Sequence, residues 1–223
     1  MVHDFWLIVR TYRSELSAGL LTTLRLCAYI WCIGLVGGCS LGVAASRWRR
    51  TIGVPTSTLS FLLASIPVLV VLFWLHYPVQ VALGVVIDPF ITAVVALAAV
   101  NVFLVCDVVR GALAEFPQHY SVAAMVCGIS DARIVTAIQV PLIARRVVPS
   151  LLSIQVGMLQ STLFASLISV EEIFRVCQRI NAEVYRPVEI YTALALLFLL
   201  VCAPLHAVAY WLRRRFRVRL VAA

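Results

Sequence analysis

The chain has 223 residues, 63% of them hydrophobic and only 13% charged, with a mean hydropathy of +1.02. Soluble domains carry roughly a quarter charged residues, so this composition excludes an ordinary water-facing globule and makes the bilayer the expected solvent. The formal charge is +8 and every basic residue is arginine, which excludes a phosphate-loop lysine, a Schiff-base lysine or a lysine general base in this chain.

A bilayer-crossing helix needs about 20 mainly apolar residues, and charge-free intervals place five such spans. The N-terminal stretch, with Asp4, Arg10, Arg13 and Glu15, does not read as a cleaved signal peptide. The first span is residues 26–46, extending back through 19–24 across Arg25. The second is residues 57–77, bracketed by Pro55 and Pro78, and the third is residues 89–106. The fourth and fifth are residues 147–170 and 190–212. Arg47, Arg49 and Arg50 follow the first span, Arg110, Arg133, Arg145 and Arg146 lie between the third and fourth, and Arg213, Arg214, Arg215, Arg217 and Arg219 follow the fifth. With this count all three clusters fall on one side, which the positive-inside rule makes cytoplasmic. The N-terminus is then outside and the C-terminus inside. The outer loops near residues 79–88 and 171–189 carry Asp88, Glu171, Glu172, Glu183 and Glu189 against Arg175, Arg179 and Arg186. The arginines stand singly or in short clusters between apolar runs, not along one stripe, so no nucleic-acid partner is expected. The seven cysteines have no paired or metal-ligand spacing and read as small hydrophobes.

Residues 111–146 form the one sizeable loop on the cytoplasmic side. Residues 119–127, with Ala123 and Ala124, predict a short helix that Gly128 ends. Ser130 and Asp131 suit a new helix start. That helix is expected to run toward Ile138 and to stop at Pro141. Small residues on a short surface helix let another protein's groove approach the backbone, so this is a predicted docking element.

The segment reads Val122-Ala123-Ala124, three residues, Gly128, nine residues, then Ile138-Gln139-Val140-Pro141. It resembles, without a gap, the "EAA" loop of ABC importer permeases, whose pattern is Glu-Ala-Ala, three, Gly, nine, Ile-x-Leu-Pro. The likeness continues in Asp107-Val108-Val109-Arg110-Gly111, in Pro117, Arg145 and Pro149, and in Thr162, Ser166, Val170 and Glu172. The hexapeptide from Gly19 to Leu24 and Pro67 resemble segments of polar amino acid permeases. Arg179-Ile180-Asn181-Ala182, Tyr185 and Pro187 look like the outer loop of histidine and basic amino acid permeases. The departures are Val122 for the loop glutamate, His119-Tyr120 for Gly-Gln, Ala64-Ser65-Ile66 for Arg-Gly-Thr, and Gln160-Ser161 for Lys-Asp.

The resemblance implies an all-α integral membrane protein of about five transmembrane helices with the type I ABC importer permease fold. It implies one permease domain over residues 1–223 in the bacterial inner membrane, with a coupling loop at about 111–146. Its partners would be two ATPase subunits that bind ATP and Mg, a second permease subunit and a periplasmic solute-binding protein. The neutral departures favour a heterodimer, in which the other subunit supplies the missing polar groups. Polar amino acids are the implied cargo, and the acidic outer loop points toward cationic ones. The chain itself is expected to be no enzyme and to hold no cofactor or metal. Expected coupling residues are Ala123, Ala124, Gly128, Arg133 and Pro141. Candidate pathway residues are Asp107, Gln160, Ser161, Thr162 and Glu172. Against these stand an i,i+3 pair of Asp107 with Arg110, helix–helix bonds by the polar groups of the fourth span, and a solvated Glu172. His76 and His206 read as packing or interfacial residues. The competing reading is a membrane scaffold or channel subunit without ATP coupling.

Overall fold

The computed structural model describes residues 10–117 and 119–221, and no side chain of Asp131 or beyond residue 216. Asp4 and the side chains of Arg217 and Arg219 therefore lie outside the described residues. Besides one turn of α-helix at Gln80–Leu83, the α-helices in chain order are α1 (Arg13–Arg47), α2 (Val54–Ser65), α3 (Val68–Trp74), α4 (Pro89–Ala114), α5 (His119–Val126), α6 (Asp131–Ile134), α7 (Val140–Ser161), α8 (Ile173–Val184) and α9 (Pro187–Val221). No strand occurs among the described residues.

The architecture rests on the pair α1 and α4. Gly34, Gly38 and Gly42 recur every fourth residue and so share one face of α1. A Cβ on Gly34 would overlap the Asn101 amide, one on Gly38 would sit 2.5 Å from Val105 Cβ, and one on Gly42 2.9 Å from the Cys106 carbonyl. Lipid tails are as apolar as leucine, so close backbone approach between small residues, not water exclusion, drives helix association here. The register also gives direction. Residue numbers rise together along both helices, from Gly34 against Asn101 to Gly42 against Val109, so α1 and α4 are parallel.

The remaining directions follow from contacts. Asn101 of α4 bonds Gln155 of α7, whereas Val109 and Ala112 pack with Val147, so α7 runs antiparallel to α4. Val156 and Leu159 of α7 pack with Cys202 of α9, whereas Arg145 meets Trp211 and Arg215, so α9 is antiparallel to α7. Leu26, Ile30, Leu72, Leu97 and Ile168 are fully buried where these elements converge.

The second span differs from expectation. Residues 57–77 are not one helix between Pro55 and Pro78. Instead Arg49–Ser65 and Val68–Leu83 meet at a bend of 98°. The break is at Ile66, whose extended backbone (ψ 128°) is what a residue before proline adopts, here Pro67. Pro55 sits in the first turn of α2, where no N–H is needed. Pro78 is accommodated in a wide turn, Leu75–Val79. Parallel α1 and α4 require the chain between them to cross the bilayer, so the bent pair is one broken span. With four long apolar helices this gives five crossings.

Pro141 does not stop its helix. A wide turn over Val135–Gln139, closed by the Val140 N–H on the Val135 carbonyl, joins α6 to α7. Pro141 then falls in the first turn of α7, and helix runs unbroken from Ala132 to Ile168. The fourth span thus begins before residue 147, and its last turns, Thr162–Ile168, tighten to a 3₁₀-helix.

The glycine face generates a prediction. Gly38→Leu should destabilise the protein by about 3 kcal/mol or more through overpacking against a helix that cannot retreat, whereas Gly157→Ala, with nothing within 4 Å of the added carbon, should be tolerated. Thermal melting in detergent, followed by size-exclusion profile, checks this; equal melting of the two variants would remove the glycine face from the account.

Candidate functional site

The arginine-rich end of the bundle carries the predicted loop. Helix α5 closes with two bonds, from the Gly128 N–H to the Met125 carbonyl (2.9 Å) and from the Ile129 N–H to the Ala124 carbonyl (3.1 Å). These are the paired bonds of a Schellman cap. Gly128 has φ +75°, a conformation that costs side-chain-bearing residues about 1–2 kcal/mol. The next helix opens with the Ser130 carbonyl accepting from the Ile134 N–H at 3.0 Å. Gln139 donates to Ser121 Oγ at 3.0 Å, which ties α5 to the wide turn below α7. Glu115 and Arg146 pair across the base of the loop.

This arrangement sorts the predicted loop residues by exposure. Ala124 is buried against the loop, whereas Ala123, Gly128 and Arg133 face outward, and Pro141 is half-buried in the helix wall. Val122, Met125 and Val126 are exposed, Val126 to 84%. Ser121 meets Gln139, and His119 and Tyr120 share a cavity with Arg146, so this surface lies about 9 Å or less from the arginine pair along the helix, by helical rise. An exposed apolar patch beside the arginines that end the spans is the mark of a protein interface.

The candidate pathway residues do not form one cluster. Asp107 receives hydrogen bonds from Arg110 (2.9 Å) and from Ser60 of α2. It is the i,i+3 ion pair weighed above, with a link to the broken span added. Gln160, Ser161 and Thr162 lie toward the other end, about 17–20 Å from Asp107 along the helix axes, taking Asn101 and Gln155 as level. Gln160 is exposed and Thr162 fully buried. The hydroxyls of Ser161 and Thr162 donate back to their own helix, on the Gly157 and Leu159 carbonyls.

Between these levels sits a polar group that the sequence reading passed over. Asn101 and Gln155, 0% and 4% exposed, exchange amide bonds of 3.0 and 3.2 Å. Asn101 also donates to the Ile30 carbonyl, and the Trp31 indole N–H donates to the Gln155 carbonyl. Its signal was an amide alone in the apolar run of α4.

At the opposite end Glu172 is neither solvated nor open to a partner. It is 0% exposed and caps α8, accepting from the Phe174 and Arg175 N–H groups at 2.9 and 2.8 Å. Burial pushes its carboxyl up to about 7, against the two backbone bonds and Arg175, which pull it down. Arg175 donates to the Ser166 carbonyl, and Arg179 bridges Glu171 and Glu15, so α8 is strapped to α1. Asp88 likewise caps α4, Tyr12 bonds Glu183, and Glu189 lies 3.7 Å from Arg186. Each acid of the outer loops has a partner of its own. Two residues here hold left-handed backbone without being glycine, Ser169 (φ +72°) and the exposed Tyr185 (φ +51°). Among the described residues no group of His, Cys, Asp or Glu has the arrangement of a metal site.

Residues 34–218, nearly all of this bundle and its loop, match the family described as binding-protein-dependent transport system inner membrane components. The chain belongs to that family. This membrane component is 25% identical over 199 residues to the Escherichia coli (strain K12) glutamine transport system permease protein GlnP, covering 87% of this chain and 91% of that one. It is 27% identical over 207 residues to the Rhizobium meliloti octopine transport system permease protein OccM, with 88% and 84% covered. Against the Salmonella typhimurium histidine/lysine/arginine/ornithine permease HisQ the identity is 25% over 196 residues, with 83% and 84% covered. The fold matches a crystal structure of an amino acid ABC transporter with histidines at a TM-score of 0.82, 22% identity and 94% and 97% coverage. It also matches an inward-facing MetNI methionine ABC transporter at 0.68, 18% identity and 92% and 98% coverage.

Glu172 yields a pH prediction for this membrane component. Its folded-state carboxyl titrates above the ordinary value of 4.5, so its stabilising contribution is complete below about pH 4.5 and is lost as pH rises through about 7. The swing is on the order of 3 kcal/mol. Melting temperature should fall between pH 5 and 8 in the wild type, and Glu172→Gln should flatten that fall; an unchanged slope in the variant would assign the titration elsewhere.

Proposed function

We propose that this chain is the permease subunit of an ATP-driven importer of polar amino acids, driven through α5 by a separate ATPase. The reading rests on one observation above others: a Schellman-capped helix of small and exposed apolar residues at the arginine-rich end, joined to a long apolar helix that runs unbroken from it. Ala123 and Gly128 offer backbone to a partner's groove, Val122 and Val126 offer apolar area, and Arg133 meets an acidic rim. The arginine-rich end is cytoplasmic, with the N-terminus outside and the C-terminus inside. Two ATPases bearing ATP and Mg dock there, and a solute-binding protein delivers cargo at the face that carries α8. Gln160-Ser161 and Val122 replace charged groups with neutral ones, which favours a second, different permease subunit as partner.

The cargo class draws on relatives named for glutamine, octopine and basic amino acids. A preference for cations gains no support from the geometry, because the acids of the outer loops are engaged in caps and pairs. Polar amino acids as a class are the proposal.

Two measurements test it. The wild type should co-purify with the ATPase encoded beside it, and Gly128→Trp should release that ATPase while inserting normally; a wild type that retains no ATPase in any detergent or lipid leaves the scaffold reading ahead. Orientation has a native reporter in Cys127, exposed in the loop. In membranes holding the chain without its ATPase, a membrane-impermeant maleimide should label it in inverted vesicles and not in spheroplasts, with Cys127→Ser abolishing that labelling to set it apart from the other exposed cysteine, Cys32; the reverse pattern would invert the topology.

A further inference from the structure

A second site lies at the arginine-rich end, where α7 starts and α9 leaves the bilayer. The two helices flank an open cavity of about 290 Å³ lined by Arg145, Trp211, Leu212, Arg215 and Phe216. Its chemistry is divided. Two guanidiniums face an indole, a leucine and a phenyl ring. Arg215 lies 5.0 Å from the Trp211 ring centroid, within reach of a cation–π contact that helps hold the guanidinium in place.

The charge there is not neutralised. The chain has no Asp or Glu after Glu189. Glu115 pairs with Arg146 and Asp107 with Arg110, so among the described residues neither Arg145 nor Arg215 has a carboxylate. Trp211 and Tyr210 follow the last apolar run and precede the arginines, which is the headgroup level of a spanning helix. Below them Leu199, Leu200 and Val208 are exposed, an apolar surface on the same helix as the apolar wall of the cavity.

We propose that this cavity binds the headgroup of an anionic phospholipid. Arg145 and Arg215 fork onto its phosphate oxygens, a geometry guanidinium matches with two parallel bonds. Trp211, Leu212 and Phe216 receive the glycerol and the first methylenes of an acyl chain. A free phosphate would use the arginines and leave the apolar wall bare, so the lipid fits the whole lining. Bound there, it bridges α9 to the helix that carries the loop. The site is independent of the transport proposal, since the cavity sits at headgroup depth whichever face is cytoplasmic.

The test uses the full-length chain, purified in neutral detergent with whatever subunits accompany it, and counts bound lipid by native mass spectrometry. Phosphatidylglycerol should be retained, phosphatidylcholine should not, and excess inorganic phosphate should fail to displace it. R145Q/R215Q should weaken retention by about tenfold or more, the loss expected for charged hydrogen bonds, whereas the charge-matched R213Q/R214Q should retain it. Equal loss in both double variants would mean diffuse surface charge and overturn the site. Displacement by phosphate would make it a free-anion site, and equal retention of phosphatidylcholine would make it ordinary annular contact; either also overturns the proposal. The lipid and phosphate comparisons need only the wild type, so they decide the matter even if R145Q/R215Q does not fold.

Discussion

Asn101 places a primary amide in the dry centre of the bundle, and three helices are arranged around satisfying it. Hydrocarbon supplies no hydrogen bonds, so an unpaired amide there costs several kcal/mol. Asn101 meets the Ile30 carbonyl on α1 and the Gln155 amide on α7. The first contact is possible only because Gly34 has no side chain where the Asn101 amide lies. Glycine at that point therefore serves both packing and polar satisfaction. A slide of α1 along α4 by one turn from this register would bring the Cβ of Ile30 or Ser46 onto a face that now meets α4 through glycine alone.

That register has a topological result. Two parallel spans consecutive among the long helices leave the intervening segment to cross back, and it does so as two short helices meeting at Ile66-Pro67. The crossing segment is tied down near both ends. Ser60 donates to Asp107. Gln80, buried near the opposite end, donates to Thr92 and accepts from the Ile87 N–H. A broken span costs backbone bonds at the break, and irregular backbone at this depth persists only against protein or a water-filled cavity; residues 64–67 are exposed in this chain, so the break is a surface left for one or the other.

Much of this was legible in the residues. Charge-free length locates a spanning helix without tertiary information, which is why the first, third and fifth spans emerged with only their ends underestimated. The loop was legible to its cap, because Gly128 combines a local conformational need with a register. Prolines were read too uniformly. Pro55 and Pro141 sit in first turns and Pro78 in a wide turn, places that need no N–H, whereas the proline that accompanies a break, Pro67, was seen only as a family match. Glu172 shows a different gap. Its charge suggested solvent or a ligand, but the amphipathic α8 behind it made it a cap, and nothing before the helix is folded says that the cap is buried. The Gly34-Gly38-Gly42 spacing was available and unused, and its partner helix was not knowable from spacing alone.

The unbroken helix from Ala132 to Ile168 is, in mechanical terms, a rod that enters the membrane from the loop and ends under α8. Axial stiffness in a helix comes from the rows of backbone bonds that run side by side along it, so displacement along its axis at one end arrives at the other. Bending is another matter. The regular bonding pattern is interrupted at the wide turn over Val135–Gln139, at the tight one over Thr162–Ile168, and between them at Pro149, which has no N–H to give. Such a rod transmits thrust along its axis and yields at those three places, so torque applied at the loop turns the nearest joint before it tilts the shaft.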